Sequence, residues 1–258
     1  MTTAFPVPLA VRLTEQESAF GAWLFLREPV AAHMASHAGY DYVCIDMQHG
    51  LADFDTLIEM LTAIETGTSV PVVRATALDP GLLGRVIDAG ALGVIIPMVN
   101  TVEQAEAAVR ACRYAPAGDR SVGPIGARTR YGGGYVAAAN DVVTVMPMIE
   151  TVEAVENVEA IAAVPGVGAL YVGPADLSVS LGLPMGMDQT DPAFDAALIR
   201  IVAACEANGV IPGIHAAPGL VAKRRAQGFT MITVGFDYQP MAAAFNADLA
   251  ASRDAVNA

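Results

Sequence analysis

The chain has 258 residues, of which 54% are hydrophobic and 16% charged, and its formal net charge is −13. This length suits one large α/β barrel or two small domains, and an acidic surface repels phosphate backbones, which argues against nucleic acid as a partner. The longest apolar run, 91–99, is about half of the ~20 residues that a membrane-spanning helix needs. The N-terminus lacks the features of a secretory signal, so we expect a cytoplasmic protein that does not contact membranes.

Eight short apolar runs bounded by turn signals predict β-strands. Most of them are continuous rather than alternating, as expected when helices cover both faces of a parallel sheet. The predicted strands are 19–26, 40–47, 70–75, 93–98, 143–149, 167–173, 210–215 and 231–235.

Helical patterns lie between these runs, and several begin at a recognisable cap. Thr101 and Thr151 each precede an acidic first turn, and Asp191 precedes a proline. Eight strands alternating with helices predict one α/β domain over 1–258, a single (β/α)8 TIM barrel. A doubly wound sheet is the alternative, but no glycine-rich phosphate motif follows the first strands. The clearest predicted helices are 53–65, 101–112, 151–163 and 191–208.

One long stretch, 114–140, shows no regular pattern and is rich in glycine, proline and arginine. A loop of this length inside a compact domain is usually functional or partly structured. The glycines at 132–134 could cradle a phosphate, although a turn fits better because no strand precedes them and no lysine follows. Arg120, Arg128 and Arg130 could bind a substrate carboxylate, or they could be solvated or intersubunit arginines.

Polar residues follow several predicted strands, where the active site of such a barrel is formed. Glu150 and Asp176, after neighbouring strands, could hold a hard divalent cation and leave coordination positions open for catalysis. Each could instead cap a helix. Arg74 could be catalytic or form a structural salt bridge, Asp46 could accept hydrogen bonds from turn amides, and His49 could be an ordinary loop histidine.

Six segments resemble the HpcH/HpaI aldolase/citrate lyase family, which comprises class II pyruvate aldolases. They are IDMQHG, VVRA, IIPMVNTVEQAEAAV, YAPAGDRSVGP, MIET and YVGPADLSVSLG, and the resemblance extends from about Trp23 to Gly235. It implies a TIM barrel with one divalent ion, Mg²⁺, Mn²⁺ or Co²⁺, per subunit. The implied reaction is the reversible cleavage of 4-hydroxy-2-oxo acids, of the 2-dehydro-3-deoxyglucarate type, to pyruvate or hydroxypyruvate and an aldehyde through a metal-stabilised enolate.

The resemblance also implies roles for individual residues. Glu150 and Asp176 match the metal ligands, and Arg74 matches the arginine that contacts the pyruvate oxygen. His49 matches the catalytic histidine, and Asp46 matches the acid that supports it. The expected substrate-binding residues are Trp23, the turn Gly173, Pro174 and Ala175, Asp88, which matches an acid that reaches a neighbouring subunit's site, and His215.

Three positions depart from the family pattern: Gln48 replaces a common glutamate, Met148 a common glutamine, and His215 a commonly apolar residue. His215 could bind a polar group on the aldehyde, so the departures leave the reaction class in place and the substrate open. Lys223, the single lysine, lies beside two arginines on a predicted surface helix. Schiff-base chemistry, which needs a desolvated lysine, is therefore excluded.

Two alternative functions stay open, and the resemblance also implies an oligomeric assembly. A malyl-CoA or citryl-CoA type lyase shares the barrel and carboxylates, but it tends to have a longer and more basic chain. A catalytically silent barrel could act as a binding subunit, although the retained carboxylates, histidine and arginine argue against it. The family forms hexamers, as trimers of dimers, through exchanged C-terminal helices, and 240–257 could play that part.

Overall fold

The computed structural model describes residues 9, 11 and 17–257, and eight parallel strands close a barrel in chain order. The last strand pairs with the first, which completes the ring. The predicted (β/α)8 barrel is confirmed, although the ends of the predicted domain lie outside the described residues. The strands are β1 (Ala19–Leu24), β2 (Tyr42–Asp46), β3 (Val70–Arg74), β4 (Gly93–Ile96), β5 (Thr144–Ile149), β6 (Ala169–Val172), β7 (Ile211–His215) and β8 (Met231–Phe236).

Helices surround the barrel, and the predicted caps begin three of them. Thr101 and Gln104 form a capping box, Thr151 accepts a hydrogen bond from the Ala154 amide, and Asp191 caps a 17-residue helix. None of the described helices is long and apolar enough to cross a membrane. The helices are α1 (Pro29–His37), α2 (Phe54–Glu65), α3 (Pro80–Asp88), α4 (Val102–Cys112), α5 (Ile125–Tyr131), α6 (Tyr135–Val142), α7 (Val152–Glu156), α8 (Val158–Ala162), α9 (Pro174–Ser180), α10 (Pro192–Asn208), α11 (Val221–Ala226) and α12 (Tyr238–Asn257).

Two segments differ from the simple prediction. The expected helix 151–163 is divided at Asn157, whose side-chain amide donates to the Asn100 carbonyl at 2.8 Å and ties this point to the loop after β4. The irregular stretch 114–140 is partly helical, because it contains α5 and the start of α6. The three glycines form the turn between these helices, in keeping with the turn rather than the phosphate loop.

The barrel interior is filled by side chains, including two tyrosines with satisfied hydroxyl groups. Tyr42 and Tyr171 bond to the Thr233 hydroxyl at 2.8 and 2.6 Å. A Cβ atom at Gly21 would lie 2.0 Å from the Tyr42 ring, so this position admits only glycine. The packed interior closes the barrel below the carboxyl ends of the strands and gives the pocket at those ends a floor.

The helix α12 differs from the rest of the described molecule because its side chains are exposed from Tyr238 to Val256. Its apolar side chains include Met241, Phe245 and Leu249, with 42%, 66% and 50% of their surface exposed. An apolar groove of about 330 Å³ runs beside the start of this helix, between α1 and the strands β1 and β8.

Candidate active site

A pocket of about 190 Å³ opens at the carboxyl ends of the strands. Eight of the eleven predicted site residues line it, Asp46 and Glu150 are buried, and Asp88 lies elsewhere. A larger cavity, of about 500 Å³, lies outside the barrel between α3 and α4. The smaller pocket is the candidate active site because barrel enzymes place their catalytic groups at the strand ends. It is lined by Trp23, Phe25, His49, Arg74, Met148, Gly173, Pro174, Ala175, Asp176, Met187 and His215.

Arg74, at the end of β3, is held by Asp46 at the end of β2. Its Nε donates to Asp46 Oδ1 at 2.9 Å, and Nη2 donates to Oδ2. The Trp23 indole N–H also donates to Oδ2, at 3.2 Å, and the guanidinium lies over the Trp23 ring at 5.1 Å. Burial alone would raise the pKa of Asp46, but the hydrogen bonds and charge of Arg74 hold that pKa below its usual value. The pair is thus ionised and fixed before any substrate arrives.

Asp46 contacts the main chain of His49 rather than its ring, which agrees with the alternative of an acceptor for turn amides. Asp46 Oδ1 accepts from the main-chain amides of Gln48 and His49, at 2.9 and 3.3 Å. In the described part of the chain, no hydrogen bond joins this carboxylate to the His49 imidazole. The aspartate therefore shapes the β2 turn and fixes Arg74, while the exposed His49 side chain reaches the pocket from its edge.

Glu150, directly after β5, is 2% exposed and is not a helix cap, since Thr151 caps α7. Its Oε1 accepts from the Met98 amide at 2.8 Å. Its Oε2 lies 2.6 Å from the point where a Cβ atom would stand at Gly173, so the approach of β6 to this carboxylate needs glycine. Burial and the charge of Asp176 raise the pKa of Glu150 to about 7.

The two carboxylates have the donor chemistry of a hard divalent cation. Within residues 17–257, Glu150 Oε2 receives no hydrogen bond, and Asp176 lines the pocket from the first turn of α9. Among the described residues, no group of three or more His, Cys, Asp or Glu side chains could hold a metal ion. The two carboxylates could therefore supply two oxygen ligands and would leave the other coordination positions to water or substrate, an arrangement that suits Mg²⁺ or Mn²⁺.

Met98 contributes to this site through its backbone. It follows β4 with φ of +57°, a left-handed conformation that is uncommon for a residue other than glycine. The amide that donates to Glu150 belongs to this residue, so the unusual backbone conformation orients the carboxylate. No sequence signal identified this role.

Met187 is a pocket residue that sequence reasoning missed, and its loop is fixed by basic residues of α11. The fully buried Arg224 donates from Nη2 to the Met187 carbonyl at 2.7 Å and to Asp188 at 2.9 Å. Lys223 Nζ donates to both oxygens of Asp188, at 2.8 and 3.0 Å. The single lysine is therefore ion-paired and is absent from the pocket lining. This placement agrees with the exclusion of Schiff-base chemistry.

His215, the last residue of β7, faces the pocket between two aromatic rings. Its ring centroid is 4.8 Å from that of Trp23, edge to face, and 5.0 Å from that of Phe236. Burial, with a smaller contribution from the Arg74 charge, lowers the pKa of His215 to about 3. The imidazole is therefore neutral at physiological pH.

Asp88 lies at the end of α3, away from this chain's own pocket. Arg120 Nη2 donates to Asp88 Oδ1 at 2.5 Å, and both residues line the cavity outside the barrel. Arg130 pairs with Glu65 at 2.7 Å. The arginines of the 114–140 stretch are absent from the lining of the strand-end pocket.

Comparisons with known proteins identify the class to which this barrel and its site belong. Residues 19–244 match the model of the HpcH/HpaI aldolase/citrate lyase family, and the chain belongs to that family. The chain is accordingly an aldolase, a carbon–carbon lyase.

Similar proteins that are named as aldolases support this assignment. The chain is similar to a hydroxypyruvate/pyruvate aldolase of Rhizorhabdus wittichii, with 37% identity over 93% of this chain and 96% of the relative. It is 38% identical to a 2-dehydro-3,6-dideoxy-6-sulfogluconate aldolase of Pseudomonas putida, over 89% and 90% of the two chains. The crystal structure of a family protein from Burkholderia cenocepacia superposes with a TM-score of 0.86 and 37% identity, over 95% and 98% of the chains.

Proposed function

We propose that this aldolase is divalent-metal-dependent and reversibly cleaves 4-hydroxy-2-oxo acids to an aldehyde and pyruvate, or its close analogue hydroxypyruvate. One observation carries the proposal: a fixed guanidinium, Arg74, shares a 190 Å³ pocket with Asp176, which lies beside the buried Glu150. The names of the two aldolase relatives, one acting on pyruvate compounds and one on a 2-keto sugar acid, support the same substrate class.

Glu150 and Asp176 would hold the cation, for which Mg²⁺, Mn²⁺ and Co²⁺ are the candidates. A divalent ion bound there would supply Lewis acidity that polarises the 2-oxo group of the substrate. The raised pKa of Glu150 supports this assignment, because among the described residues its buried carboxylate, beside a second carboxylate, forms no ion pair with a basic side chain.

Arg74 acts on the 2-oxo oxygen, where negative charge develops as the bond between C3 and C4 breaks and the electron pair forms the enolate of pyruvate. Asp46 and Trp23 hold the guanidinium in place, so little reorganisation is needed during the reaction. His49 takes the proton of the 4-hydroxyl group, directly or through a water molecule, as the aldehyde forms. The turn Gly173–Ala175 and Trp23 line the space for the 2-oxo acid.

A lyase that acts on CoA thioesters is less compatible with this pocket. Phosphates of CoA are usually bound by several basic side chains. Among the described residues that line the pocket, Arg74 is the one lysine or arginine, and it is already paired with Asp46. A pocket of about 190 Å³ suits a small 2-oxo acid and a short aldehyde.

The active assembly would be a homohexamer, a trimer of dimers in which α12 packs against a second copy of the chain. The exposed apolar side chains of α12 and the apolar groove lined by Met34, Ala35 and Phe236 support this exchange. In that assembly Asp88 would reach the site of a neighbouring subunit. Light scattering of the wild type should give six chains per particle, and Phe245→Glu should lower that number. A cytoplasmic location stays a prediction.

The proposal is tested by the exchange of the pyruvate methyl protons in ²H₂O, followed by NMR. We expect exchange with Mg²⁺ or Mn²⁺ that stops with EDTA and in Glu150→Gln, which keeps the shape of the side chain but removes its charge. Glu153→Gln, in the exposed first turn of α7, is the matched control and should exchange as the wild type does. Exchange that persists in EDTA or in Glu150→Gln would refute the proposed role of the metal, and no exchange with either metal would refute the pyruvate reaction.

A further inference from the structure

His215 is the polar group of the pocket for which the proposed reaction provides no role. Trp23 and Arg74 are bonded to Asp46, Asp176 is a proposed metal ligand, and His49 is the proposed acid–base group. The remaining side chains are apolar, and Phe25, Met148 and Met187 are the largest of them. A histidine at this position places a single hydrogen-bonding group on an otherwise apolar wall.

The ring nitrogens of His215 are available to a ligand. Within residues 17–257, neither ring nitrogen has a hydrogen-bond partner. Neither nitrogen is fully buried, because both are missing from the set of fully buried polar atoms without a partner. Neither nitrogen is therefore sealed inside the protein, and the residue lines the pocket. Trp23 and Phe236 pack against the ring from two sides and restrict its rotation. The orientation of the hydrogen-bonding atoms is thus set before a substrate binds.

The neutral state of the ring defines which group it can recognise. With its pKa lowered to about 3 by burial and by Arg74, the imidazole offers one donor and one acceptor and no charge. A hydroxyl group, which can both donate and accept, complements such a ring. A purely apolar substituent would displace water from the nitrogens without replacing its hydrogen bonds, which weakens binding.

We propose that His215 selects substrates with a hydroxyl group on the carbon next to the carbonyl, by a hydrogen bond between the imidazole and that hydroxyl. The inference rests on the proposed aldolase function and specifies its substrate class. Two substrates could supply the group: a short 2-hydroxyaldehyde as the acceptor, or hydroxypyruvate in place of pyruvate. Both have the same hydroxycarbonyl chemistry, and both are small enough for the pocket.

The test compares kcat/KM for matched pairs in the direction of carbon–carbon bond formation. The acceptor pair is lactaldehyde against propanal, each with pyruvate, and the donor pair is hydroxypyruvate against pyruvate, each with propanal. The preference of the wild type for the hydroxylated member should fall about tenfold in His215→Leu for at least one pair, as expected for the loss of one hydrogen bond. The pair that responds identifies which substrate carries the hydroxyl.

Further variants at His215 distinguish recognition of the hydroxyl group from an effect of the ring on packing. His215→Asn, which keeps a donor and an acceptor, should retain most of the preference. His215→Phe preserves the ring packing and should lose the preference as His215→Leu does, and it serves if the leucine variant does not fold. His37→Leu, on the exposed helix α1, is the matched control and should keep the ratios of the wild type.

Two results would overturn the inference: a wild type that prefers the hydroxylated member of neither pair, or ratios in His215→Leu and His215→Phe that equal those of the wild type. Both leave the proposed function intact if metal-dependent exchange of pyruvate persists in the wild type. Absence of that exchange marks the failure of the proposed function itself.

Discussion

The two halves of the pocket rim are built on opposite electrostatic principles. On the β2–β3 side, Arg74 and Asp46 neutralise each other through two hydrogen bonds, and the Trp23 indole completes the arrangement. On the β5–β6 side, Glu150 and Asp176 are both acidic, and burial, together with the charge of Asp176, raises the pKa of Glu150. Among the described residues, the first side has its counter-charge in contact, whereas no basic side chain forms an ion pair with the carboxylates of the second.

In the proposed reaction, this difference would divide the stabilisation of the enolate between the two sides. A guanidinium paired with a buried carboxylate needs no rearrangement to receive a developing negative charge. Two neighbouring carboxylates in a poorly solvated place cost free energy unless a cation joins them. One half of the site is therefore preorganised by folding, and the other half would be completed by the proposed metal ion.

The largest effect on catalysis is expected from the removal of the Arg74 guanidinium. In Arg74→Met, the rate of pyruvate methyl exchange at saturating Mn²⁺ should fall by about 10²–10³, the usual effect of removing a donor to a developing oxyanion. Arg200→Met, which breaks an exposed ion pair with Glu159, is the control and should retain the wild-type rate. A fall of less than threefold in Arg74→Met would place the stabilisation of the enolate elsewhere.

Because the Arg74–Asp46 ion pair is buried, breaking it should lower the free energy of unfolding. Asp46→Asn leaves the guanidinium without its counter-charge and should lower the stability measured in urea by about 3 kcal/mol. Asp119→Asn makes the same change in an exposed pair, with Arg110, in which both side chains are 65% exposed, and should cost less than about 1 kcal/mol. Equal losses in the two variants would contradict the view that the first half of the site is set by folding.

A smaller effect is expected in the pH dependence of stability, which reports on the burial of His215 and, to a lesser extent, on the nearby charge of Arg74. The pKa of His215 is lowered from 6.5 to about 3 in the folded protein, so the unfolded chain binds the proton first as the pH falls. The stability contributed by the neutral ring is complete above pH 6.5 and is lost as the pH decreases towards 3. Between pH 7 and pH 5, the wild type should lose about 2 kcal/mol more than His215→Asn, measured in urea with EDTA present. Identical losses would show that the ring is protonated in the folded state.

The sequence predicted the barrel well because its strands are buried on both faces. Continuous apolar runs identified all eight strands, although runs such as 40–47 and 93–98 extended beyond the observed β2 and β4. The residues after the strands, such as Arg74 and Asp176, could be placed in one pocket because parallel strands end at the same rim. Periodicity and turn signals were sufficient for these features.

Features that depend on contacts between distant loops could not be predicted. Met187 enters the pocket because Arg224, 37 residues later, binds its carbonyl group. The left-handed backbone of Met98, after β4, directs its amide to Glu150, after the neighbouring strand β5. For Asp46, the sequence left open the turn-amide contacts that the structure shows, but it did not identify Arg74 as the partner of this carboxylate. Local patterns carry no information on such contacts.

The most direct test of the account is a titration of the chain with Mn²⁺, followed by calorimetry and electron paramagnetic resonance. We expect one Mn²⁺ ion per chain in the wild type and loss of binding in Glu150→Gln and in Asp176→Asn. Asp46→Asn, which changes only the other half of the rim, should retain binding. Two results would contradict this division of the site: a wild type that binds no Mn²⁺, or carboxylate variants that bind it as tightly as the wild type. The proposed division is between the Arg74–Asp46 side, which folding completes, and the acidic side, which a metal would complete.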